Sequence, residues 1–257
     1  MTPPKSALKS DTTKASQQSP HLTPSTSSTS QPSQTPSDKS HRLRFNEARE
    51  SLSKFCGNTP ATRYLPRHSA LLQLAALAQD SEDLDALMVM IVEWRQAKRQ
   101  VNSQTSNEII SRCMKLGRPD LALKLLANRP KYGVDLSSIS VARALLHELI
   151  EAARSPVKSS KYTPVSSLQD DPFFLAALYP KFRLPEVWME PVSSAMLASF
   201  GTSFPSKSTS HKRALALLKE TTNAMPAEIH QDLSTTWKER RWANAGLMAL
   251  KARSLNT

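Results

Sequence analysis

The fold is decided by residues 105–134, TSNEIISRCMKLGRPDLALKLLANRPKYGV. Ile109, Ile110, Cys113 and Met114 recur at helical spacing and give residues 107–116 one apolar face. Gly117 follows at once, where a helix C-terminus favours a residue tolerant of positive φ, and Pro119 can occupy the first turn of the next helix. That return arm carries Leu121, Ala122, Leu123, Leu125 and Leu126 and stops by Pro130, with Gly133 in the exit loop. The stretch therefore predicts a helical hairpin.

The same grammar extends outward. Leu71, Leu72, Leu74, Ala75, Ala76 and Ala78 predict an apolar helix from Ser69 onward. Asp80-Ser81-Glu82-Asp83 predicts a capped turn, and Leu84, Leu87, Met88 and Ile91 form the stripe of a second arm over residues 84–95. Beyond the central hairpin, Val141, Leu145, Leu146, Leu149 and Ile150 predict a third first-arm helix from about Ser140. Corresponding positions recur about every 35 residues, the signature of an array of two-helix units.

The markers Thr105-Ser106-Asn107, Lys115-Leu116-Gly117, Ala122 and Gly133-Val134 stand at the separations of a pentatricopeptide repeat, which this segment resembles. It departs at Ser106, where that family prefers an aromatic, and at Leu136, where it prefers proline. The resemblance implies an all-α, short solenoid of pentatricopeptide- or tetratricopeptide-like hairpins, here behind an N-terminal tail whose composition predicts disorder. It also implies base reading through Asn107 and Ser137, the slots with which such repeats address single-stranded RNA. Leu72 and Ala142 occupy the first-helix slot in the neighbouring units and have no side-chain hydrogen bond to offer a base. Base-specific reading by a tract of repeats is therefore not expected.

Outside the hairpins at 61–153, the chain divides into a 1–60 tail, an irregular insert at 154–191 and a 192–257 segment. In the first 40 residues, 24 are Ser, Thr or Pro, too little apolar material to bury, which predicts disorder. Its scarcity of acids, Asp11 and Asp38 alone, and the cluster His41-Arg42-Leu43-Arg44-Phe45 are compatible with a mitochondrial transit peptide, and a phosphorylatable linker is the plainer alternative. The insert carries a short helix opened by Asp171-Pro172. The last segment reads as a degenerate hairpin, residues 192–200 and 211–221, then a continuous helix over 227–254 with Ile229, Leu233, Trp237, Leu247 and Leu250 turned inward.

Charge points to the class of partner. The 257 residues carry a net +12, of which +2 lies in the first 40 and +10 in the remainder. Lys238, Arg240, Arg241, Lys251 and Arg253 against Glu239 make the terminal helix +4, with Trp237 and Trp242 interleaved, a composition suited to phosphate contact and base stacking. Arg95, Lys98 and Arg99 add basic charge at the end of the first hairpin, and Lys124, Arg129 and Lys131 in the second. A basic helix with aromatics also suits a protein groove or an anionic surface.

Catalytic chemistry has little to stand on. Five glycines build no Gly-x-Gly or Walker loop, the six histidines include no pair at metal-ligand spacing, and Cys113 sits on an apolar face as core. Two cysteines cannot staple a chain of this length, and the longest apolar run, residues 86–92, is too short to span a membrane. The resemblance to the pentatricopeptide repeat family, whose short members are commonly organellar and include ribosomal components, implies a non-enzymatic protein of the mitochondrial matrix (alternatively cytosol or nucleus), ribosomal or translation-associated, contacting rRNA or mRNA and ribosomal or other mitochondrial proteins. No cofactor, metal or small-molecule substrate is expected. The alternative is a protein-binding adaptor or assembly factor for a mitochondrial complex.

Overall fold

The computed structural model describes residues 36–56, 66–155, 163–164, 167–205, 207–224 and 236–254, and all regular structure among them is helical. The elements are α1 (Pro36–Cys56), α2 (His68–Leu77), α3 (Ser81–Gln96), α4 (Ser103–Lys115), α5 (Pro119–Ala127), the short α6 (Arg129–Tyr132), α7 (Ile139–Arg154), α8 (Asp171–Leu178), α9 (Pro191–Gly201), α10 (Thr209–Ala224) and α11 (Trp237–Ser254). Two 3-10 turns, Tyr179–Phe182 and Val187–Met189, lie between α8 and α9.

Local chemistry sets these boundaries. The Asp80 carboxylate accepts the Asp83 amide at 2.8 Å and starts α3, and Asn102 accepts the Thr105 amide at 2.7 Å to start α4. Gly117 takes φ +67° between α4 and α5, a left-handed conformation that the turn requires and a side chain would strain. The predicted stripes face inward, with Leu84, Leu87 and Ile91 of α3 and Ile109, Ile110 and Cys113 of α4 all buried. Burial pushes the Cys113 thiol up to about 12, consistent with a core side chain.

The helices pack in sequence. α2 lies against α3 and α4, α4 against α5 and α7, and α7 against α5, α8 and α9. α9 in turn packs on α10 and α11, and α11 reaches back to α7. A buried ion pair tightens the first half. Arg118, at the start of α5, grips Asp120 with Nε and Nη2 at 3.0 and 2.9 Å and donates from Nη1 to Ser81 at the start of α3 at 2.6 Å.

Two expectations are corrected. Residues 36–56, within the 1–60 segment expected to be disordered, form α1. Phe45, Ala48, Leu52 and Cys56 recur at intervals of three and four and pack against the common core, Phe45 fully buried. The Ser, Thr and Pro excess that predicts disorder ends at residue 40, before this stripe begins. The terminal helix does not run through from 227. It starts at Trp237, because Thr236 and Glu239 form a capping box in which the Thr236 amide donates to Glu239 Oε2 at 2.6 Å and the Glu239 amide to Thr236 Oγ1 at 3.3 Å. Ile229 and Leu233 lie outside the described residues. Among the described residues no helix is long and apolar enough to cross a membrane.

Packing of α1 into the core makes a direct prediction. Phe45→Ala should lower the unfolding free energy in urea by about 3 kcal/mol, whereas no change would return residues 36–56 to the tail.

Candidate nucleic-acid interface

The site is built on an ion cluster that joins three helices. Arg143 of α7 is buried and donates to Glu190 Oε1 from Nε and Nη2 at 3.1 and 2.6 Å, and to Glu239 Oε1 from Nη1 at 3.2 Å. Glu190 is also the N-cap of α9, accepting the Val192 amide at 3.2 Å and the Ser193 amide at 2.6 Å. Each carboxylate thus sits at a helix start and meets both Arg143 and backbone N–H groups. Two carboxylates against one guanidinium leave a formal −1, which the N-terminal ends of α9 and α11, each equivalent to about +0.5 charge, offset.

Protonation follows from this geometry. Burial works to raise the Glu239 carboxyl, but the hydrogen bonds to Thr236 and the bond and charge of Arg143 outweigh it, and the net shift is downward. Arg143 is likewise held in its charged form, burial being overcome by both carboxylates.

The cluster also decides what α11 shows to solvent. Its one acidic residue among the described side chains is turned inside, while Lys238, Arg240 and Arg241 remain exposed and, among the described residues, form no ion pair. Burial along α11 falls at Glu239, Ala243 and Gly246, spacings of four and three that define the face against α7 and α9. Gly246 is required there, since a Cβ would stand 2.7 Å from the Ala195 carbonyl oxygen of α9. Trp237, expected inside, is 63% exposed. It lies off that face, as does Leu247, which is only half-buried.

A cleft of about 590 Å³ opens between α7, α9 and α11, lined among others by His147, Arg154, Trp237, Lys238, Arg241 and Trp242. The His147 and Trp242 rings stack with centroids 4.4 Å apart and planes 23° from parallel.

The other expected RNA contacts lie elsewhere. Arg95, Lys98 and Arg99 close the end of α3. The Arg95 guanidinium donates to the Arg99 carbonyl at 3.0 Å, Lys98 takes φ 58°, and Arg99 lies 4.6 Å from the Trp94 ring centroid. Arg95 also lines a separate cleft with Arg129, Gly133 and Asp135. Asn107 and Ser137 do come together, with the Ser137 hydroxyl donating to Asn107 Oδ1 at 3.3 Å. Ser106, where the repeat family carries an aromatic, is buried and accepts the Asp135 amide at 3.2 Å. Lys251 and Arg253 fall in the last turns of α11, where side-chain placement lies outside the description.

Sequence reasoning missed Arg143, Glu190 and the role of His147. Only the Thr236-x-x-Glu239 pattern signalled any of this. Among the described residues no group of three or more His, Cys, Asp and Glu side chains is arranged to hold a metal ion.

Removing the shared cation should be costly. Arg143→Met leaves two carboxylates buried without it and should destabilise the fold by about 3–5 kcal/mol. In the wild type, Glu239 has a folded pKa below its unfolded value of about 4.3, so its contribution is complete above that value and lost as pH falls through the folded value. Urea midpoints taken across that range should fall with acid in the wild type and fall less in Arg143→Met; parallel curves would contradict the assignment. No protein family, curated protein or solved structure matches this chain.

Proposed function

We propose that this is a non-enzymatic RNA-contacting protein, a short array of pentatricopeptide-like helical hairpins whose basic final helix meets the phosphate backbone. One observation carries the reading: Glu239 is consumed internally by Arg143, so the described outer surface of α11 presents Lys238, Arg240 and Arg241 without a compensating acid beside an exposed indole. The packing of α2 on α4 and of α4 on α7, at a sequence period of about 35, supports the repeat reading. With one Asn107–Ser137 pair and no competent neighbours, affinity comes from charge and stacking rather than a base code.

Within this proposal the protein works in the mitochondrial ribosome or its translation machinery, on rRNA or mRNA, among ribosomal proteins. The Arg42 and Arg44 cluster belongs to α1, and Arg42 pairs with Glu82 at 2.8 Å. Processing that spares α1 would therefore act before Pro36.

A second reading has its own observation. An open groove between α8 and α10, lined by Phe173, Phe174, Ala177, Leu197 and Ala216 with Asp170 and Arg213 at its rim, suits an apolar helix of a partner protein, as an adaptor or assembly factor would need.

Binding of a labelled 20-nucleotide single-stranded RNA to the full chain should fall steeply with salt. The combined Lys238→Ala, Arg240→Ala and Arg241→Ala substitution should flatten the log–log salt slope by about 2, at about 0.7 per phosphate contact. Unchanged affinity and slope would overturn the RNA reading in favour of the adaptor, and a tagged full chain that stays cytosolic would overturn the mitochondrial assignment.

A further inference from the structure

The α7–α9–α11 cleft contains more than a positive surface needs. Along α11, Trp237, Arg241 and Ala245 form one row at spacings of four, and Lys238 and Trp242 a second beside it. Each row joins an aromatic to a cation, and all five residues line the cleft. Ala245, Gly246 and Ser199 project little or no side chain, which leaves the space open.

We infer that this cleft takes one unstacked nucleotide of a single-stranded RNA, with the base against the Trp237 indole and the adjoining phosphate on Lys238 and Arg241. The inference rests on the RNA reading above and deepens it. Three observations point to this occupant.

Trp237 is 63% exposed at a site where the fold makes no use of it, and its flat π-face suits any base. The lining holds Arg154, Lys238 and Arg241 against the single acid Glu151, which already pairs with Arg154 at 3.0 Å, so two cations remain for a phosphate. The volume, about 590 Å³, falls within the roughly 300–1,000 Å³ of clefts that enclose small ligands, and a duplex with its bases stacked cannot enter it.

Stacking and charge separate in the salt dependence. Full-length protein is titrated into fluorescently labelled oligouridylate of 12 nucleotides at several salt concentrations, for the wild type, Trp237→Ala, Trp237→Phe, Arg241→Ala and the Lys238, Arg240 and Arg241 triple variant. Trp237→Ala should weaken binding about tenfold with an unchanged salt slope, as expected for loss of one stacked base. Trp237→Phe should recover most of that loss, and Arg241→Ala should flatten the slope. Because Trp237 is exposed, its variants should unfold at the wild-type urea midpoint. If Trp237→Ala binds like the wild type while the triple variant loses affinity, RNA contact stands and the nucleotide slot is overturned. Absence of binding by the wild type at about 100 mM salt overturns both. An acidic peptide that protects Trp237 from quenching while oligouridylate does not assigns the cleft to a protein and likewise overturns the inference.

Discussion

A single guanidinium holds the second half of the molecule together. Arg143 sits where α7, α9 and α11 meet, and its bonds to Glu190 and Glu239 connect positions 47 and 96 residues away in the chain. Ionised groups are costly to bury, and such a cluster survives only when every group is satisfied. Here the backbone N–H groups opening α9 and α11 complete what one arginine cannot, so the cluster fixes where both helices begin as well as where they sit.

Function on this account follows from what the cluster removes from the surface. A helix rich in Lys and Arg normally carries acids that blunt its field. The one acid in the first three turns of α11 is internal, and small residues complete the contact with α9, since Ala243 and Gly246 let the two backbones approach closely. With a narrow, small-residue face spent on packing, the large side chains Trp237 and Trp242 and the cations are left at the cleft. Positive charge and aromatic surface are thereby held on a rigid helix rather than on a loop, which lowers the entropic cost of engaging a flexible strand.

The central hairpins were the legible part of the chain. Gly117, Pro119, the Asp80 cap and the stripes of α3 and α4 act through neighbours a few residues away, and local chemistry of that kind survives in a sequence. α1 was hidden because its four inward residues are diluted by polar ones, although their spacing is helical. Trp237 was misplaced for a different reason. Size and hydrophobicity favoured the interior, but the inward face of α11 was chosen by Glu239, whose partner lies 96 residues away. Of the candidate site, the cations and tryptophans could be read from composition and the capping box from a four-residue pattern. Arg143, Glu190 and the stacking of His147 on Trp242 depend on long-range packing that no local pattern encodes.

The proposed contact places RNA at the cleft beside α11. Ultraviolet cross-linking of 4-thiouridine-substituted single-stranded RNA to the full-length chain, mapped by mass spectrometry, tests it most directly. Adducts are expected in the peptides containing Trp237 to Trp242 and His147. Adducts confined to the Arg95–Arg99 end of α3 or to the groove between α8 and α10, or no adducts, would contradict it.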